Sequence, residues 1–289
     1  MKPIPPITQY LIAGIALVSA SVGLWSNLPN RSAPHKILAR PASAIDYFAS
    51  LNLEAKAAFV YEPDTDRVLY AKEADQRLPI ASVTKLMTAL TASELLPDST
   101  IIPLARRRYR LKDLVALTLV SSSNQGAMAL ATATAEDLGR DLVTEMNTEA
   151  VTLGLNQTSF ANPTGLDLAD GQAGSYSTAY DIAHLFTYLL TARPELLTAT
   201  RFEEIETSTV EGVRHRFRNT NEIIGEVSGL LGSKTGFTDV AEGSLVIAFD
   251  RGLNQPVVVV VLGSSAQGRF SDVKQLVEAT IKTFLPPTI

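Results

Sequence analysis

The 289-residue chain contains no cysteine. Disulfides, thiolate metal sites and a cysteine nucleophile are therefore excluded. The absence fits either side of a membrane, so it fixes no compartment. Histidine is scarce: His35, His184 and His215 lie far apart and show no ligand spacing. His184 falls in an apolar helical pattern, which points to packing. Positive charge is not in excess either. The net charge is −5, whereas a nucleic-acid partner would favour a basic face. The one basic run, Arg106, Arg107, Arg108 and Arg110, reads as a solvated turn. No internal repeat is present.

Long apolar runs are missing except at the start. Tyr10 to Trp25 is uncharged and mostly apolar, preceded by Met1 and Lys2. Sixteen helical residues reach roughly 24 Å, short of the ~30 Å hydrocarbon core. The length suits a signal peptide or a short anchor, with a small-residue site at Val18-Ser19-Ala20. Residues 1–28 are thus expected to export the chain or tether it to a membrane. Residues 29–44, with Pro29, Pro34 and Pro41, read as a linker, and residues 45–289 as the folded domain.

What is present is ordinary for a packed domain: 46% hydrophobic and 19% charged residues. Lys56–Glu62 and Arg67–Ala71 read as a hairpin around Pro63-Asp64-Thr65-Asp66. Helical patterns follow at about Ser82–Leu95, Leu111–Leu119, Gly126–Leu138, Leu142–Leu153 and Thr178–Leu190. Strands are expected at Glu204–Val210, Gly229–Gly236, Ser244–Phe249 and Pro256–Leu262, then a helix over Ser271–Phe284. This order predicts an α+β fold. The early hairpin and the late strands are expected to share one antiparallel sheet, with helices against it.

Three clusters carry chemistry. In Ser82-Val83-Thr84-Lys85 the serine and lysine lie three apart, on one helix face. Serine needs a base, and Lys85 can be one if its pKa falls from about 10.4 toward neutrality. Desolvation and a nearby second cation would lower it. At a helix's first turn, Ser82 would also have free backbone N–H groups for an oxyanion. A second Ser-x-x-Lys, Ser271 to Lys274, reads as a coincidental surface pair. The second cluster is Ser122-Ser123-Asn124, between two helices. Its hydroxyl can relay a proton, and its amide can hold a substrate carbonyl or steady the lysine; helix capping is the alternative. Ser50-Leu51-Asn52 has the same form but lies beside the linker. The third is Lys234-Thr235-Gly236 on a strand. Lysine and hydroxyl together suit a carboxylate, Lys234 is the candidate second cation, and Gly236 leaves room for a bound peptide.

Taken in order, these clusters are the motif set of penicillin-binding proteins and β-lactamases. The chain resembles the serine D-alanyl-D-alanine carboxypeptidase family within that group. Supporting stretches are Phe160-Ala161-Asn162-Pro163-Thr164-Gly165-Leu166, Ser177-Thr178-Ala179-Tyr180-Asp181, Asn219-Thr220-Asn221 and Arg269-Phe270. The resemblance implies an α+β DD-peptidase fold over 45–289, an antiparallel five-stranded sheet packed with helices, without the C-terminal β-domain of many relatives. It implies that Ser82 attacks a D-Ala-D-Ala carbonyl of a peptidoglycan stem peptide, with Lys85 as base. Ser122 would pass a proton to the leaving D-Ala, and Asn124 would position substrate and lysine. Lys234, Thr235 and Arg269 would bind near the carboxylate. Backbone N–H groups of Ser82 and Phe237 would form the oxyanion hole. β-Lactams would acylate Ser82, outside the cytoplasm; no metal, cofactor or nucleic acid is implied.

The second motif departs from the usual Ser-Gly-Asn-Asp, since Ser123 and Gln125 stand there. Ala241-Glu242-Gly243 replaces Ala-Gly, and Thr164 replaces a common histidine. A DD-endopeptidase would use the same residues. A β-lactamase would need a Glu-x-x-Leu-Asn stretch, which is missing between the second and third motifs. A silent wall-binding homologue would have lost Ser82, Lys85 or Lys234, and all three are present.

Overall fold

The computed structural model describes residues 46–285. The expected export segment 1–28 and linker 29–44 lie outside the described residues. Among the described residues, no helix is long and apolar enough to cross a membrane.

The hairpin forms from β1 (Ala57–Glu62) and β2 (Arg67–Lys72), joined through a 3-10 turn at Pro63–Thr65. Asp66 takes φ 49° to close it. The late strands are β10 (Leu230–Thr238), β11 (Glu242–Asp250) and β12 (Pro256–Ser264). Together they make the expected five-stranded antiparallel sheet, in the order β10-β11-β12-β1-β2. Central strand β12 reads Val257 to Val261 without a polar break, because both of its faces are covered. Val258, Val260 and Leu262 pack into one core, and Val257, Val259 and Val261 into the other.

The helices divide between the two faces. Helix α1 (Lys85–Leu95) is buried around nearly its whole circumference, as a helix without a polar face must be. Around it stand α2 (Leu111–Val120), α3 (Asn124–Leu138), α4 (Leu142–Thr152), α5 (Ala179–Ala192) and the short α6 (Pro194–Thr198). Helix α7 (Gly268–Phe284) covers the other face with Phe270, Val273, Leu276 and Val277.

Three features escape the sequence patterns. The basic run is a strand and not a turn: β5 (Arg107–Arg110) pairs with β4 (Ile101–Leu104), and Ala105-Arg106 makes the bend. Tyr109 points inward while the arginines on either side are exposed. Likewise β8 (Glu204–Ser208) has an unexpected partner in β9 (Arg214–Arg218). Arginine and glutamate alternate with the inward residues there, and charge hides the period. Lastly, β3 (Leu78–Pro79), β6 (Ser159–Phe160) and β7 (Ser175–Ser177) form a small sheet beside the turn that carries Ser82.

One buried carboxylate locks the domain's start to its last helix. Asp272, fully buried, accepts from the Glu54 N–H at 3.1 Å, the Ala55 N–H at 2.9 Å and the Ser264 hydroxyl at 2.8 Å. Alanine there would strand two buried donors and a third that is partly buried. Asp272→Ala is expected to lower unfolding free energy by about 3 kcal/mol or more, read as a lower urea midpoint with an unchanged slope.

Candidate active site

The turn that carries the candidate nucleophile Ser82 begins where Ile80 is buried and Ala81 takes φ 46°. That left-handed backbone is unusual for alanine and is held by its surroundings. The hydroxyl of Thr84 donates to the Ala81 carbonyl at 2.7 Å. Residues Ala81–Thr84 form a 3-10 turn, and α1 proper starts only at Lys85. Ser82 therefore sits one turn before the α-helix, whereas the sequence pattern places it in that helix's first turn. The key distance survives: Lys85 Nζ lies 2.7 Å from Ser82 Oγ. The same nitrogen donates to the Thr164 carbonyl at 2.7 Å. Lys85 is 0% exposed, and burial brings its amine down to about 7.

Ser122-Ser123-Asn124 links α2 to α3. The capping residue is Ser123, whose hydroxyl accepts from the Gly126 N–H at 3.0 Å. Ser122, at φ 55°, is left for other work: its hydroxyl accepts from Lys234 Nζ at 2.8 Å. Asn124 behaves differently from the expectation. Its Oδ1 is buried and has no hydrogen-bond partner, and the Lys85 amine is held by Ser82 and Thr164 instead. A buried acceptor in this condition suits an N–H brought by a ligand.

Strand β10 gathers the parts. Lys234 is 1% exposed and donates to Ser122 and to the Thr235 carbonyl at 2.7 Å. Thr235 Oγ1 lies 2.5 Å from Thr220 Oγ1. A Cβ built on Gly236 would sit 2.6 Å from the Ile80 carbonyl and 3.2 Å from the Ser82 nitrogen. Glycine is thus required by the Ser82 turn, which fills the space expected for a peptide. Among the described residues, the outer edge of β10 nonetheless has no strand neighbour. Arg269, from the start of α7, donates to the Gly236 carbonyl at 2.7 Å, and its guanidinium lies 6.0 Å from the half-exposed Phe237 ring. One strand therefore touches Ser122 through Lys234, the Ser82 turn through Gly236, and Arg269.

Lys234 is held well below the ordinary lysine range, first by burial and then by the charges of Lys85 and Arg269. Burial lowers Lys85, and the repulsion between the two amines disfavours charging both at once. Both amines are pushed toward neutrality, and they titrate as a pair.

Two contributors were not legible as functional: the Thr164 carbonyl and the Thr220 hydroxyl. Both lie in stretches already singled out, yet nothing in a residue letter says that a carbonyl will face a lysine. The bland readings hold elsewhere. The Ser271 hydroxyl donates to the Gly268 carbonyl and Lys274 pairs with Glu226 at 2.9 Å. His184 stacks on Tyr180 with centroids 4.0 Å apart.

Residues 46–101 and 91–266 match the family model described as D-alanyl-D-alanine carboxypeptidase. The D-alanyl-D-alanine carboxypeptidase DacF of Bacillus subtilis is 32% identical over 73% of this chain and 58% of its own length. A D-alanyl-D-alanine endopeptidase of Pseudomonas aeruginosa is 32% identical over 78% of this chain and 76% of its own. Among solved structures, penicillin-binding protein D2 of Listeria monocytogenes in its ampicillin-bound form superposes with a TM-score of 0.70. It is 32% identical, and the match covers 80% of this chain and 98% of that one.

Proposed function

The chain belongs to the D-alanyl-D-alanine carboxypeptidase family, and we propose that it removes the terminal D-Ala from peptidoglycan stem peptides through an acyl-enzyme on Ser82. The observation that carries this reading is the buried Lys85 amine, held near neutrality 2.7 Å from the Ser82 hydroxyl.

The chemistry follows from the geometry. The substrate's terminal carboxylate is held by Lys234, Thr235 and Arg269. Its negative charge favours the protonated form of Lys234, which leaves Lys85 as the neutral amine of the pair. Ser82 Oγ attacks the penultimate D-Ala carbonyl while its proton passes to Lys85 Nζ. Backbone N–H groups of Ser82 and Phe237 take the oxyanion. As the C–N bond breaks, the departing D-Ala nitrogen gains a proton through Ser122. Asn124 pairs its empty acceptor with a substrate amide N–H. Water then attacks the ester and frees Ser82.

β-Lactams acylate the same serine, in keeping with the ampicillin-bound Listeria relative. Their adducts persist, since no glutamate stretch for rapid deacylation was found. Action on the cell wall puts the domain outside the cytoplasm, with residues 1–28 serving as export signal or membrane tether. The endopeptidase name of the Pseudomonas relative favours a second reading, cleavage of cross-links with the same residues. Incubating the full chain with a D-Ala-D-Ala pentapeptide and with a cross-linked dimer separates the two. Free D-Ala from the pentapeptide and a stable fluorescent-penicillin adduct are expected. Cleavage of the dimer alone would favour the endopeptidase, and absence of every reaction would reject both.

A further inference from the structure

The loop that supplies the Thr164 carbonyl is organised by one side chain. Asn162 Oδ1 accepts from the Thr164 N–H at 3.0 Å, the Thr164 hydroxyl at 2.7 Å and the Gly165 N–H at 2.8 Å. Its Nδ2 donates to the Leu166 carbonyl at 2.9 Å. Every polar atom of that carboxamide acts within five residues of chain, which folds Asn162–Leu166 into a tight turn. The turn is pressed on the nucleophile segment. Gly165 takes φ 73°, and a Cβ there would sit 2.0 Å from the Ala81 carbonyl oxygen. Helix α1 grips two successive carbonyls of the loop: Thr88 Oγ1 donates to Pro163 O at 2.7 Å, and Lys85 Nζ to Thr164 O at 2.7 Å.

Such a grip matters most for a neutral amine. A neutral Lys85 has two N–H bonds and one lone pair, and only the lone pair can take the Ser82 proton. Donating one N–H to a fixed carbonyl restricts rotation about the Cε–Nζ bond and helps turn the lone pair toward Ser82. We propose that Asn162 is a positioning residue for acylation: its carboxamide oxygen fixes the turn whose Thr164 carbonyl aims the Lys85 amine at Ser82. This rests on the catalytic reading above and goes beyond it, because Asn162 touches neither reacting atom.

The test uses second-order acylation by fluorescent penicillin across a pH series. The charged group coupled to the amine is Lys234 from β10, which Arg269 from α7 faces in turn. Asp167, on the same loop, is engaged by Thr238 Oγ1 at 2.9 Å and the Val240 N–H at 3.3 Å. Asn162→Ala frees the carbonyl. It should cut the acylation rate about 10²-fold, the usual effect of a misplaced group. The pH at which the rate rises should move down, since a hydrogen bond that favours the ammonium is weakened. Asn162→Asp keeps the triple acceptor that fixes Thr164 and Gly165, gives up the Nδ2 bond to the Leu166 carbonyl and adds a negative charge. It should recover most of the rate on the alkaline plateau, with the rise moved up in pH. A folded Asn162→Ala protein acylating within about twofold of the parent, at an unmoved pH midpoint, would overturn the inference. So would an Asn162→Asp protein that loses its plateau rate, and that arm decides if the alanine form does not fold. No acylation of the parent is a different failure: it removes the catalytic reading and this inference with it.

Discussion

Replacing Ser82 with alanine is expected to abolish both fluorescent-penicillin labelling and D-Ala release, while the fold remains intact. Removing a nucleophile from a concerted set of groups costs on the order of 10⁴-fold or more in rate. Here no neighbouring group can substitute. Ser122 is held by Lys234 at 2.8 Å, and Thr84 is committed to the Ala81 carbonyl. Alanine has the same backbone demands in a 3-10 turn, and the hydroxyl lost is only an acceptor for Lys85. Melting temperature should therefore stay close to that of the parent. Mass spectrometry of the intact protein after penicillin treatment reads the outcome directly. An adduct of unchanged stoichiometry on the alanine form would mean that another residue carries the acyl group.

The second large effect concerns Lys85. Only the neutral amine accepts the Ser82 proton, and the folded amine titrates at about 7. The acylation rate should accordingly climb as pH rises through 7, with about a hundredfold less at pH 5 than on the plateau. Lys85→Met keeps the methylene packing and removes the base; labelling should fall roughly 10³–10⁴-fold on the alkaline plateau and lose its rise through pH 7. The same substitution should stabilise the fold, and the sign can be worked out. In the unfolded chain the amine titrates at 10.5, in the folded protein at about 7. Between these values the unfolded form binds more protons, so parent stability rises with pH across that window. Below 7 the fold must hold a buried ammonium, a penalty that methionine lacks. The gain in melting temperature for Lys85→Met should thus be largest below pH 7 and fade toward pH 10.5. Denaturation at pH 6 and pH 10 checks it, and a gain that does not shrink would mean that burial is not what lowers this amine.

The sequence was informative where a residue type and a spacing together define a task. Ser82 and Lys85 meet because three residues make about one turn, whether 3-10 or α. Lys234 and Gly236 reach their partners because strand β10 runs past both helix ends. The five-stranded sheet was legible from its hairpin and from the apolar run of β12. Other parts were silent for physical reasons. In β5 and β9 arginines occupy the outward positions, and a strongly charged strand looks like a solvated turn. The 3-10 start of α1 depends on Ala81 adopting φ 46°, which contacts from Gly165 and Gly236 impose and no local preference predicts. Asn124 was expected to steady the lysine; a backbone carbonyl from another loop does so, and carbonyls carry no sequence signature.

The pairing of β1 with β12 has a consequence for how the chain comes into being. Ala57 faces Leu262 and Tyr61 faces Val258, so the first strand of the sheet has to wait for one made about two hundred residues later. At the usual synthesis speed of ~5–20 residues per second, that is on the order of ten seconds or more with β2 alone beside it. A polypeptide that stays pliable until nearly its last helix has emerged is well suited to being threaded through a narrow channel, as the export proposed here demands. The enzyme would acquire its nucleophile and its base together, only after delivery.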